Sequence, residues 1–239
     1  MRTLAIALFF AAVAVAEDPA SAKTDPAAEE LLKKVEAKLQ KAKTVSIRAS
    51  LTYTLGQYPH KFDIEIDFKE GNRARIMLTG KDKVSMGAAC DGKAVRRKSP
   101  QGGTTVDATA DFAEKGRAML LRTPMIEATA YFEGKDPQAA PGYSEFAFLP
   151  DEKIGERAVR VVTFAATRDS IRKDVRMWID EKALEVVKRE IVEKIGDVEG
   201  REVLKFASMA FDGDMPDSTF DSVEPKAEEK KDEEKQEEK

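Results

Sequence analysis

Histidine is almost absent from this chain of 239 residues: His60 is the only one, and Cys90 and Trp178 are single as well. A Ser-His-Asp or Cys-His nucleophile system needs an imidazole base. His60 opens an alternating segment at Tyr58-Pro59-His60 and lies far from Cys90 in sequence, so it reads as a solvated histidine and Cys90 as a small buried thiol. No His/Cys cluster has zinc spacing, and Asp212-Gly213-Asp214 is too short for a calcium loop. Gly102-Gly103 lacks the lysine and helix start of a phosphate loop. The expectation is a protein that is not an enzyme and has no metal and no cofactor. One cysteine also excludes an intramolecular disulfide, so stability must come from a packed core. A basic excess is missing too: 40 Lys and Arg stand against 44 Asp and Glu, for a net charge of -4, which argues against a nucleic-acid partner.

Long apolar runs are confined to the start. Arg2, the run Leu4 to Val13 and then Ala14-Val15-Ala16 before Glu17-Asp18 follow the pattern of a secretory signal with small residues at the cleavage site. That run falls short of the roughly 20 residues a spanning helix needs, so residues 1–16 are expected to be a signal peptide. No cysteine stands at the cleavage site to take a lipid. At the other end, Lys226 to Lys239 has no apolar residue beyond Ala227 and mixes Glu with Lys, the composition of a charged disordered tail. Between them, residues 17–225 are long enough for one sheet-rich domain.

From Asp25 to Lys43, the residues Ala28, Leu31, Leu32, Val35, Leu39 and Ala42 recur at helical spacing, with Asp25-Pro26 as cap and first helical position. Alternating segments follow at Val45 to Leu55 and His60 to Phe68. In the second, Phe62, Ile64, Ile66 and Phe68 share one face and Lys61, Asp63, Glu65 and Asp67 the wet one. Asn72 to Leu78, Lys83 to Cys90 and, after the Asp91-Gly92 hairpin signal, Lys93 to Lys98 continue the sheet. A helical insertion then interrupts it. Ala108 to Leu121 reads as one helix, and Thr123-Pro124 opens a shorter one reaching Phe132, together rich in Met119, Leu120, Leu121, Met125 and Ile126. Strands resume at Tyr143 to Leu149, Arg157 to Ala166 and Lys173 to Ile179, giving nine to eleven strands and three helices, an α+β class.

Asp174 to Phe211 reads as a meander: a strand ending in Trp178-Ile179-Asp180, a turn, a second strand, the Gly196 to Gly200 loop and a third strand. Glu181 to Ile195 is contested. Leu184, Val187, Ile191 and Ile195 would share a helical face, whereas the hairpin reading makes Val186 to Ile195 a strand. The strand is the expectation.

Cys90-Asp91-Gly92-Lys93, Met177-Trp178-Ile179-Asp180 with Lys188-Arg189-Glu190, and the closing Asp217-Ser218-Thr219-Phe220-Asp221 carry a resemblance to the periplasmic lipoprotein carriers of the LolA type, with the related LolB and RseB proteins. It spans nearly all of Asp25 to Pro225. The carriers' Arg-Pro pair entering the third strand is replaced here by Lys69-Glu70-Gly71, so their lid-locking arginine is not transferred. Arg73 and Arg75 nearby read as ordinary surface charge. The resemblance implies a strongly curved antiparallel sheet forming an incomplete, half-open β-barrel, with helices covering its concave face. It also implies a monomeric, soluble periplasmic protein whose partners are lipids or lipoprotein acyl chains. The alternative it carries is an RseB-like envelope sensor docking on a membrane-protein partner. Phe62, Ile64, Ile66 and Phe68 from the sheet and Leu120, Met125 and Ile126 from the insertion are the candidate lining for lipid. From the residues alone, the same side chains serve equally as the filling of a closed core.

Overall fold

The computed structural model describes residues 24–80, 85–99, 102–125, 141–168 and 171–223. The expected signal segment, the charged tail and the insertion beyond Met125 therefore lie outside the described residues, Ile126 with them.

Helix α1 spans Pro26–Lys41. Its start follows from local chemistry: the Asp25 carboxylate accepts from the Ala27 N–H, and proline fills a position whose N–H has no helical partner. Ala28, Leu31, Leu32, Val35 and Leu39 form its buried stripe. Each of the larger ones contributes about 1.5–3 kcal/mol by leaving water.

Eleven strands follow: β1 Thr44–Leu55, β2 Tyr58–Lys69, β3 Arg73–Gly80, β4 Ser85–Asp91, β5 Ala94–Ser99, β6 Gly102–Asp107, β7 Gly142–Ile154, β8 Arg157–Arg168, β9 Ile171–Asp180, β10 Glu185–Ile195 and β11 Val198–Phe211. Between β6 and β7 lies α2, Phe112–Arg122, and a short 3-10 turn, Asp217–Phe220, closes the described chain. All the strands join one antiparallel sheet in the order β6-β5-β4-β3-β2-β1-β11-β10-β9-β8-β7. The sheet is not closed, since β6 and β7 stand at opposite edges.

This order is two meanders, β1 to β6 and β7 to β11, joined at the centre by the β1·β11 pair. Ten strand spacings separate β6 from β7 in the sheet order. α2, the described helix of the connection between them, packs on β2, β3 and α1, while α1 packs on β7 and β8.

Alternation sends Val45, Ile47, Ala49 and Leu51 of β1 and Ile64, Ile66 and Phe68 of β2 to the face that bears both helices, where they share a single core with α1 and α2. The register is consistent across strands: Ile47 stands opposite Ile66, and Ile66 opposite Ile76. A second, smaller cluster of Val159, Val161, Trp178 and Val187, with Leu149 and Ile154, lies apart from that core. Trp178 belongs to it, donating from Nε1 to Glu152 at 2.9 Å, with the Lys188 ammonium 3.8 Å above its ring.

Glu185–Ile195 is a strand, as the hairpin reading expects; the helical spacing within it loses to pairing with β9 and β11 on both sides. Leu184 enters it at φ +52°. β6 is the strand that sequence reasoning passed over, because Gly-Gly-Thr-Thr has little apolar content and reads as loop. The wet face of β2 needs correcting as well. Asp67 and Arg75 are each 1% exposed. Arg75 pairs with Glu65 at 2.7 Å and Asp67 at 3.3 Å, and Arg48 and Ser46 complete the set around Asp67, so Arg75 is a buried ion-pair member and not surface charge.

Candidate functional site

The face shared by the sheet and α2 gathers most of the candidate lining. Ile64, Ile66, Phe68, Leu120 and Met125 are all buried in the same core, beside Phe112, Leu121 and Leu51. Phe62 is half-buried at its margin. With Leu51 it contributes to an open groove of about 520 Å³ whose other walls are Ser50, Thr52, Lys61, Asp63, Thr79, Gly80, Val203 and Lys205. A second void, about 20 Å³, lies past the end of α2 against Arg122, Thr123, Pro124 and Ala166, with room for about one water. Among the described residues, the lining candidates other than Phe62 lie in the closed core that α2 shares with the sheet.

What fastens α2 is polar. At its entry, the Asn72 side chain accepts from the Ala113 N–H at 2.8 Å and donates to the Thr109 carbonyl at 2.7 Å. Asn72 itself sits at φ +62°, a region asparagine tolerates because its short amide bonds locally. In mid-helix, Arg117 reaches the carbonyls of Leu39, Gln40 and Ala42 at the C-terminus of α1, the nearest at 2.6 Å, and lies over the Phe68 ring. Burial lowers its pKa. Arg122 forks onto Glu36 of α1.

At the exit, Arg189 of β10 donates to the carbonyls of Leu120, Leu121 and Thr123 at 2.7, 3.0 and 2.9 Å. Its other terminal nitrogen meets Glu202 of β11 at 2.5 Å. The second oxygen of Glu202 accepts from the Met125 N–H at 2.7 Å. Arg189 and Glu202 are 1% and 3% exposed. Helix C-termini carry unpaired carbonyls and partial negative charge, so a guanidinium there satisfies orphan acceptors and complements the dipole. Both helices use this device, α1 through Arg117 and α2 through Arg189. The arrangement is an apolar interface held shut at its rim by charge-assisted hydrogen bonds.

Sequence reasoning grouped Lys188-Arg189-Glu190 with the hairpin but assigned Arg189 no task. The only available signal was its phase. In β10, Arg189 and Ile191 share a side, placing a charge on the apolar face, which occurs only where a partner awaits it. Glu202, opposite Ile191 in register, is the matching anomaly in β11. His60 is exposed, and Cys90 is fully buried, bonded to the Asn72 carbonyl at 3.1 Å, with burial raising its pKa. Among the described residues, no three His, Cys, Asp or Glu side chains come together as a metal site, and no helix is long and apolar enough to cross a membrane.

No protein-family profile matches the chain, and no curated protein matches it in sequence. Solved structures do. A LolA superfamily protein from Nitrosomonas europaea is similar over 81% of this chain and 96% of its own, at 10% identity and a TM-score of 0.38. The Mycobacterium tuberculosis lipoprotein LppX is similar over 77% and 95%, at 12% identity and a TM-score of 0.44. MucB is similar over 82% of this chain and 62% of its own, at 12% identity and a TM-score of 0.44. The first of these bears the name of the superfamily that the motifs of the chain resemble. Likeness this distant assigns no function.

Proposed function

We propose that the protein is an exported, non-catalytic carrier or binding protein for lipoprotein acyl chains or other lipids. In this reading the sheet coils into an incomplete barrel around the helices, and α2 is a lid that cargo displaces. The observation that carries it is the division of labour at α2. Apolar side chains fill the interface, while Asn72, Arg117, Arg122 and Arg189 fasten its rim. Opening the lid returns these polar groups to water, at a net cost of about 1.5–3 kcal/mol for each hydrogen bond to a charged group.

The apolar part of the exchange is close to balanced. Lifting Phe112, Leu120, Leu121 and Met125 off the sheet costs roughly 6–12 kcal/mol at about 1.5–3 kcal/mol each. Ten methylenes of an acyl chain taking their place return about 8 kcal/mol. An acyl chain can therefore replace the apolar contacts of the lid, while the polar fastening favours the closed state in the absence of cargo. Phe62, at the margin where the core meets the open groove, is the natural first contact.

The test is hydrogen exchange on the protein with and without palmitate. Uptake should deprotect the amides of α2 while those of β1 and β11 stay protected. Uptake with α2 fully protected would remove the lid from the reading, and no uptake would remove the carrier.

A further inference from the structure

Charge is missing from one hairpin. In a chain that is 35% Asp, Glu, Lys and Arg, residues Ala49 to His60 hold none, the longest such run after residue 16. They form the second half of β1, the turn at Gly56-Gln57 and the start of β2. Among the described residues, five large apolar side chains are exposed: Leu55, Tyr58, Val106, Ile171 and Val198. All but Val106 stand at one end of the sheet. Leu55 pairs with Tyr58 and with Gly200, the Gly56 N–H donates to the Glu199 carbonyl at 3.1 Å, and Val198 lies against Gly56, so the β1–β2 and β10–β11 turns are side by side. Ile171 opens β9 at the same end, since Lys173 pairs with Glu193, and Glu193 with Gly200. Val106 is level with Val45, at the start of β1 and the far end of the sheet.

The four side chains share the phase that faces the helices. Along β1 this phase runs Leu51, Tyr53, Leu55, from sealed through half-buried to exposed, and Leu51 belongs to the core. Val198 continues the phase of Glu202 in β11, and Ile171 that of the core residue Val175 in β9. α2 ends at the same place. Glu202, which accepts from the Met125 N–H, stands opposite Tyr53 in register, and the small void past the helix lies between Thr123, Pro124 and Ile171. The core under α2 therefore leads, beside the end of the helix, to a rim of exposed apolar side chains.

From the uncharged hairpin and its place beside the end of α2, we infer that this rim rests on the surface of a lipid bilayer, with Leu55, Tyr58, Ile171 and Val198 entering the headgroup region. Separate side chains on strand ends suit a surface that flows around them better than the flat face of a partner protein, and tyrosine is amphipathic enough for that depth. Apolar burial and not charge drives the contact: the β1–β2 turn is uncharged, and the β10–β11 turn sets Asp197 and Glu199 against Lys194. Docking would let the lid open against lipid, a purpose that rests on the carrier reading, although the contact itself does not.

The test is sedimentation of the protein, purified after export, with vesicles of phosphatidylcholine alone. It should bind, keep its affinity as salt rises, and show slowed hydrogen exchange at residues 55–60 and 196–200. Tyr58→Asp and Val198→Asp should each weaken binding about tenfold, while Val106→Asp should match the parent. Tyr58 is 75% exposed, so its replacement leaves the fold intact. No sedimentation with phosphatidylcholine, equal weakening by Val106→Asp, or parent-like binding in both rim variants would overturn the inference. So would binding confined to anionic vesicles and lost in salt, or a parent dimer that Tyr58→Asp dissociates, which would give the rim to a second copy. Palmitate uptake is scored separately. Vesicle binding without uptake upholds the rim and removes the carrier; uptake without vesicle binding removes the rim and leaves the carrier.

Discussion

Replacing Arg189 by Met tests the fastening of α2 at its strongest point. The substitution keeps an unbranched side chain but removes three bonds to α2 carbonyls and the partner of Glu202. Glu202 is then a nearly sealed carboxylate that has lost its guanidinium partner. Breaking a buried pair from one side costs about 3–5 kcal/mol, chiefly because the remaining charge is uncompensated. Glu202→Met should cost less, toward about 3 kcal/mol, since Arg189 keeps its three carbonyls. The double variant removes both charges, so its cost should not exceed that of Arg189→Met alone, which makes the coupling at least about 3 kcal/mol. Urea unfolding of the four proteins measures this, with hydrogen exchange over Phe112–Arg122 reporting whether the helix end is what loosens. Additivity within about 0.5 kcal/mol would refute the reasoning.

Three further outcomes follow from the geometry. The Asp91 carboxylate accepts from the amides of Lys93 and Ala94 and from Arg96, in that hairpin turn, and its pKa falls to about 2. A pKa lowered by folding stabilises above the unfolded value near 3.8 and loses that contribution as pH falls through 2, so Asp91→Asn should cost about 1 kcal/mol at pH 7 after discounting for solvent, with no difference left below pH 2 in urea titrations. Gly92 stands at φ +100°, and a Cβ there would come 2.6 Å from the Gly71 carbonyl oxygen, so Gly92→Ala should lower stability by more than about 1 kcal/mol, seen as a lower urea midpoint. Cys90, sealed and with its thiol pKa raised, should react with a thiol reagent only at the rate of unfolding; fast labelling in native buffer would contradict its placement.

The parts of the fold written in short-range patterns were readable from the residues. Asp25-Pro26, the stripe from Ala28 to Leu39, and the alternation of Phe62 to Phe68 each declare an element, and all three elements stand as expected, though Asp67 on the expected wet face of β2 is buried. Elements set by neighbours were harder. β10 is helical by propensity and becomes a strand because β9 and β11 flank it, and β6 is chosen by its pairing with β5 and hardly at all by its own composition. The polar fastening was least visible, because it joins residues far apart in sequence: Arg189 to Leu120, Arg117 to Ala42, Asn72 to Thr109. Strand phase marks Arg189 as a charge on the wrong side, but nothing local says that a helix end will meet it. Arg75 and Asp67 were misread for the same reason, since their burial depends on each other and on Arg48.

The proposal that α2 yields its place to an acyl chain is tested most directly by expressing residues 17–239, with export, and purifying without detergent for native mass spectrometry and lipid extraction. The account predicts a stoichiometric lipid or acylated peptide bound to the purified protein, or taken up when acyl chains are offered. A clean mass of the protein alone, unchanged by offered acyl chains, would contradict it and leave the α2 interface as a closed core.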